Sequence, residues 1–183
     1  MPFSISILKA GRILRNGGVV IYPTEGVFGL GCLPDDSQAI ERVLTIKQRD
    51  PSQGLILIAA DRAQLEHWID TDLDIPSDPS TPVTWIVPAS ANTPPWITGR
   101  HESVAVRITR HPIAAALCNA AGSALVSTSA NVSGHAPAAN AHVLRRQFHD
   151  LVDYIVPGDC GPSPGASEIR HLLSKKTLRP AAS

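Results

Sequence analysis

Short apolar runs rich in β-branched residues recur along the chain, and most are separated by stretches of helical periodicity. The runs are 19–22 (VVIY), 55–59 (LILIA), 82–88 (PVTWIVP), 103–108 (SVAVRI), 124–128 (ALVST) and 152–156 (VDYIV). Runs this short, bounded by Gly, Pro and polar residues, read as strands. Residues 5–15 place Ile7, Ala10, Ile13 and Leu14 on one helical face, and Asn16-Gly17-Gly18 stops that helix. Asp35, Asp36 or Ser37 caps a helix over 37–48, with Ile40, Val43 and Leu44 as its stripe. Asp61 starts a helix to about 69. His111-Pro112 opens an Ala-rich one that Gly122 ends, and another covers 140–149. Segments 24–36, 70–82 and 157–167 read as loops, and EIRHLL and TLRP as two short closing strands. Helices alternating with strands predict an α/β layered domain. No helix separates 82–88 from 103–108, so part of the sheet is antiparallel. The expected architecture is one domain over 1–183, a twisted mixed parallel and antiparallel sheet with flanking helices.

With 183 residues, 43% of them hydrophobic, and zero net charge, the chain can build a core and is not disordered as a whole. No apolar run approaches the ~18 residues of a membrane span. The N-terminus lacks the apolar stretch of a signal peptide, so a cytoplasmic location is expected. Cys32, Cys118 and Cys160 are odd in number and far apart, and no two histidines stand in H-x-x-x-H. A disulfide framework and a structural metal are both poorly supported. Aromatics make up only 4%, too few for a base-stacking platform. Charge is unevenly spread: residues 50–78 carry one Lys/Arg against seven Asp/Glu, and 79–149 carry five against one. Of sixteen cations twelve are Arg, whose fork suits carboxylates and phosphates; solvated surface is the plainer account of any single one.

Four polar segments follow strands or end a helix, where ligands of open α/β sheets lie. Pro23-Thr24-Glu25-Gly26-Val27-Phe28-Gly29-Leu30-Gly31 offers close backbone approach, or simply tight turns; its spacing is neither a dinucleotide fingerprint nor a P-loop. Lys47-Gln48-Arg49 ends a helix, so its cations either complement the helix dipole or clamp phosphates. Arg107 alternates with Val104 and Val106, so it faces away from them, toward solvent or toward an anion. Ser127-Thr128-Ser129-Ala130-Asn131-Val132-Ser133-Gly134 concentrates hydroxyls and an amide at a strand end. These serve local turns, or a zwitterion or nucleotide.

No G-x-S-x-G elbow is present, Cys32 has no evident base nearby, and Glu25 is the only acid in these loops. Asp70, Asp72, Asp74 and Asp78 cluster in a Pro-rich loop and read as solvated. The residues describe an anion-binding, templating site without a covalent catalyst.

Taken together and in order, Pro-Thr-Glu with Val-Phe-Gly-Leu-Gly, Lys-x-Arg, Val-Ala-Val-Arg with His-Pro after it, and Ser-Thr-Ser-Ala-Asn-x-Ser-Gly resemble the YrdC-like threonylcarbamoyl-AMP synthases. The resemblance runs from about residue 7 to 180 and fits the short bacterial form. It implies a twisted mixed sheet with a basic concave cleft. The implied reaction joins L-threonine, bicarbonate and ATP, with Mg²⁺, into threonylcarbamoyl-adenylate and pyrophosphate. Partner proteins then pass the threonylcarbamoyl group to tRNA anticodon loops. By motif, Thr24, Arg107, Ser127 and Ser167 take the threonine end. Lys47, Arg49, Ser129, Asn131 and Arg179 take ATP, and no residue acts as a nucleophile. Departures from the family pattern are Gly26 for Thr or Ser, Phe28 for Tyr, Asp50 before Pro51, and Ala166-Ser167-Glu168-Ile169 for Pro-Ser-Thr-Ile.

A second reading stands beside this one. The basic 79–149 segment also suits a module that binds structured RNA through phosphates, without adenylate-forming activity. A catalytically dead scaffold is a third, which the presence of Thr24, Lys47, Arg49 and Asn131 disfavours.

Overall fold

A computed structural model describes residues 2–77, 82–131 and 141–181. Helix α1 (Pro2–Arg15) leads into β1 (Val20–Pro23) and β2 (Phe28–Gly31), then α2 (Ser37–Lys47) and β3 (Ile56–Ala59). Next come β4 (Val83–Pro88), α3 (Pro95–Thr98), β5 (Ser103–Ile108), α4 (Pro112–Ala121), β6 (Leu125–Val126) and β7 (Thr128–Ser129). Helix α5 (Ala141–Phe148) and strands β8 (Tyr154–Ile155), β9 (Glu168–His171) and β10 (Thr177–Arg179) complete the chain.

The expected mixed architecture is present, arranged as two sheets. One has the order β7-β2-β1-β8 and the other β10-β9-β4-β5-β3-β6. In the larger sheet β4 and β5 are antiparallel, as the missing helix between them requires, while β3 and β5 run parallel. Successive residues of β1 face opposite sides, as strand geometry dictates. Val19 and Ile21 join a core with Leu30, Ile40, Val43 and Leu57. Val20 and Tyr22 join a second core with Ile7, Leu14, Ile58, Ile113 and Leu117. Burial on both faces explains why these strands read as continuous apolar runs. Each fully buried aliphatic side chain contributes roughly 1.5–3 kcal/mol. Leu14 and Leu117, both 0% exposed, do so where α1 and α4 cover β1 and β3.

The helix boundaries follow local chemistry. Asp36 caps α2 by accepting the Ala39 N–H at 2.9 Å. Pro112 sits in the first turn of α4, and Gly122 ends that helix in the left-handed conformation.

Several expectations need correction. The 24–36 loop contains β2, whose glycines hide its strand character. The helix expected from Asp61 to about 69 is a 3₁₀ turn at Ala63–Leu65 followed by turns, and Ile69 instead bridges to Ala89. Asp61 does accept the Gln64 N–H at 3.2 Å, so the cap exists without the helix. The expected strand over 124–128 divides: β6 pairs with β3 in the larger sheet and β7 with β2 in the smaller. Helix α3 was not expected. Asp78, Val132, Ser133, Gly134 and the start of the 140–149 helix lie outside the described residues. Among the described residues no helix is long and apolar enough to cross a membrane.

Candidate functional site

Both sheets contribute to one cleft. Its walls include Thr24, Arg49, Arg107, Ser127, Ser129, Ser167 and Arg179, seven residues from six separate stretches of sequence. The remaining two expected site residues, Lys47 and Asn131, stand immediately behind Ser129.

The Pro-Thr-Glu turn forms because Pro23 ends β1 and Thr24 Oγ1 donates to the Val27 carbonyl at 2.6 Å. The 161–165 segment lies across it: the Gly161 N–H donates to the Thr24 carbonyl at 2.8 Å and the Ser163 N–H to the Glu25 carbonyl at 3.0 Å. A Cβ on Gly26 would run into the carbonyls of Gly165 and Ser163. The departure from Thr or Ser at this position therefore has a steric cause here. Strand β2 approaches the 126–129 segment equally closely. A Cβ on Gly31 would overlap the Val126 carbonyl oxygen. That approach brings Ser127 and Ser129 to the cleft.

Lys47, in the last turn of α2, is buried and turns onto this segment. Its ammonium donates to the carbonyls of Ser129 (2.6 Å) and Asn131, and to Asn131 Oδ1 at 2.7 Å. Ser129 Oγ donates to Asn131 Oδ1 at 2.5 Å. Burial, with the Arg49 charge nearby, pulls the Lys47 ammonium down to about 8. Lys47 thus ties α2 to the hydroxyl-rich segment and is not itself a wall of the cleft. Past the left-handed residue Gln48, Arg49 turns into the cleft. Its guanidinium donates to the Gly54 carbonyl at 2.8 Å, while its buried Nε has no partner.

Arg107 extends from β5 into the cleft, opposite to Val106, and is only 9% exposed, so it is not a solvated surface cation. Its ion-pair partner is Glu25, at 3.4 Å. Glu25 also accepts the Thr109 hydroxyl (2.6 Å) and the Arg110 N–H (3.0 Å) through Oε1. The Arg107 charge and these donors outweigh burial and hold its carboxyl below the usual range. Arg179, on β10, donates to the Ser167 carbonyl at 2.8 Å. Burial and the charges of Arg107 and Arg49 push its guanidinium down. Ser167 shares a 2.8 Å hydroxyl contact with Thr84 of β4. Three guanidiniums therefore line the cleft beside one carboxylate. A second, more apolar hollow adjoins it through Arg49, Ile56 and Arg179, and is walled by Ile86, Ile97 and Leu178.

Glu25 is a site residue that was not among those expected. Its signal was being the only acid in the polar loops. The 82 and 165–166 positions, which also line the cleft, carry no chemical signal of their own. The three cysteines are free, and burial raises each thiol, so none is poised as a thiolate.

Residues 12–181 match the Sua5/YciO/YrdC family model, described as "Telomere recombination". The chain belongs to this family. It is 49% identical over 180 residues to the threonylcarbamoyl-AMP synthase of Nitrosococcus oceani, covering 93% of this chain and 95% of that one. It is 44% identical over 181 residues to the threonylcarbamoyl-AMP synthase of Escherichia coli O1:K1 / APEC, covering 95% of each. P. abyssi Sua5 complexed with L-threonine superposes with a TM-score of 0.86 at 29% identity, over 97% of this chain. The present chain spans about half of that Sua5 structure, 54% of its length. E. coli YciO shares the fold, with a TM-score of 0.81 at 24% identity over 98% of this chain and 91% of its own.

Proposed function

We propose that this Sua5/YciO/YrdC-family chain is an L-threonylcarbamoyladenylate synthase that serves threonylcarbamoyladenosine modification of tRNA. It joins L-threonine, bicarbonate and ATP and releases pyrophosphate. The observation that carries the reading is the convergence of Arg49, Arg107 and Arg179 on one cleft that also presents Thr24, Ser127, Ser129 and Ser167. Its relatives of 41–49% identity, named threonylcarbamoyl-AMP synthases over nearly their whole length, support it.

The chemistry needs no protein nucleophile. The threonine amine and bicarbonate give a carbamate with loss of water. The new carboxylate on the threonine nitrogen then attacks the α-phosphorus of ATP, and pyrophosphate leaves, while threonine's own carboxylate stays free. The protein supplies placement: Arg107 for the threonine carboxylate, Thr24, Ser127 and Ser167 around it, and Arg49 and Arg179 for the phosphates. Ser129 and Asn131, braced by Lys47, stand at the nucleotide end, and the apolar hollow takes the nucleoside. Ordered reactants account for up to ~7–11 kcal/mol of a barrier in ideal cases. Guanidiniums aimed at the phosphates stabilise the charge that grows there.

Among the described residues no group of three or more His, Cys, Asp or Glu is placed to hold a metal ion, and the cleft's carboxylate is already engaged. Mg²⁺ would enter with the ATP phosphates, and no step is routed through it. We place the reaction in the cytoplasm, where partner proteins take up the adenylate for tRNA.

The test is pyrophosphate release from ATP and Mg²⁺. Release that requires both L-threonine and bicarbonate is expected, and Arg49→Ala lowers it tens-fold in a folded protein. No release from folded wild-type protein overturns the reading. Steeply salt-sensitive RNA binding in that same protein would then favour the RNA-binding module.

A further inference from the structure

Glu25 is a buried carboxylate that the reaction scheme leaves without a task. It is 7% exposed and sits in the turn after β1. Both of its oxygens are committed inside the protein. Oε1 accepts Thr109 Oγ1 at 2.6 Å and the Arg110 N–H at 3.0 Å. Oε2 accepts no hydrogen bond and faces Arg107 Nη2 at 3.4 Å. Thr109 and Arg110 follow directly on β5, the strand that carries Arg107. One carboxylate therefore grips the end of that strand and its guanidinium together.

Arg107 depends on this grip. Its buried Nε has no hydrogen-bond partner. Arg179, across the same cleft, repels it. At 3.4 Å the pair is electrostatic, without the close bidentate geometry that would consume the guanidinium's donors. The Arg107 fork is held in place and still has N–H groups to offer a second carboxylate.

We propose that Glu25 is a positioning residue for the amino-acid substrate: it fixes the Arg107 guanidinium at the carboxylate end of the cleft and offsets the three-arginine cluster. The proposal rests on the assignment of Arg107 to the threonine carboxylate. Glu25 acts through Arg107 and does not touch the substrate.

Glu25→Gln tests it, because the amide oxygen can still accept from Thr109 and Arg110 while the charge facing Arg107 is lost. The expected result is at least a tenfold rise in KM for L-threonine, with KM for ATP within about twofold and a melting temperature close to wild type. A double-mutant cycle then separates positioning from general support. In an Arg107→Met background, Glu25→Gln should change kcat/KM for threonine by less than about twofold. A full tenfold loss in that background overturns the proposal, as does an unchanged threonine KM in the single variant. Should Glu25→Gln fail to fold, Thr109→Val removes the 2.6 Å bond and keeps the charge. It should raise the threonine KM by about threefold, restored toward wild type by Thr109→Ser, and no change in either quantity counts against the proposal. Absence of threonine-dependent turnover in wild-type protein would instead defeat the synthase reading itself.

Discussion

Gly31→Ala probes the closeness of β2 to the 126–129 segment. The new methyl would overlap the Val126 carbonyl oxygen, with the Tyr22 hydroxyl 3.1 Å away on the same side. The obstacle is backbone, and it is held by the β3–β6 pairing at Leu57 and Ile58, so no rotamer change relieves it. Overpacking of this kind costs ~1–3 kcal/mol, and a backbone obstacle places Gly31→Ala near the upper end, about 3 kcal/mol. For a chain of this length each kcal/mol moves the melting temperature by about 2–4 °C, so a fall of roughly 6–12 °C is expected. Gly29→Ala is the matched control. Its methyl would meet Ser127 Oγ and Tyr22 Cε2 at 3.1 Å and Thr24 Cγ2 at 3.2 Å, all side-chain atoms. It should cost about 1 kcal/mol. Thermal melts followed by circular dichroism read the stability. Pyrophosphate release at 25 °C reads the displacement of Ser127 and Ser129. A Gly31→Ala protein melting within 2 °C of wild type, or above Gly29→Ala, would refute the close-approach argument.

Two further outcomes follow from the same structure. Lys47 is held at about 8 in the folded protein, below the ~10.4 of an unfolded lysine, so it binds protons more weakly when folded. Its penalty on stability is complete below about pH 8 and is relieved between about pH 8 and 10. The melting temperature of wild type relative to Lys47→Met should therefore rise across that interval; a difference that does not vary with pH refutes the burial assignment. Asp36→Ala removes the cap of α2 and should cost ~1 kcal/mol in a urea titration, with kcat unchanged.

The parts of the fold that were legible are those where each local signal agrees with its surroundings. The β3 run (ILIA) and the 83–88 and 103–108 runs are apolar because their strands lie inside the larger sheet. Helix α2 announces itself through Asp36 and the spacing of Ile40 and Val43. Strand β2 was hidden because two of its four residues are glycine, chosen for a neighbour about a hundred positions away. No local propensity encodes such a partner. The division of 124–128 between sheets is invisible for the same reason, since alternation does not say which strand lies alongside. The candidate site was legible residue by residue. Seven of nine expected side chains line the cleft, but neither the inward turn of Lys47 nor the grip of Glu25 on Arg107 has a signature in spacing.

Between Leu125 and Ser129 the chain leaves one sheet and enters the other, and Ser127 is the residue at the crossing. The Ser127 N–H donates to the Ile56 carbonyl of the larger sheet, while its side chain lies against Gly29 of the smaller. This seam works as a rivet. The two sheets cannot slide past each other without tearing the hydroxyl cluster, and whatever occupies that cluster fastens both sheets at once. Amide protons at the seam should thus exchange only when the whole molecule unfolds, and occupancy of the cleft should slow that exchange for strands on either side.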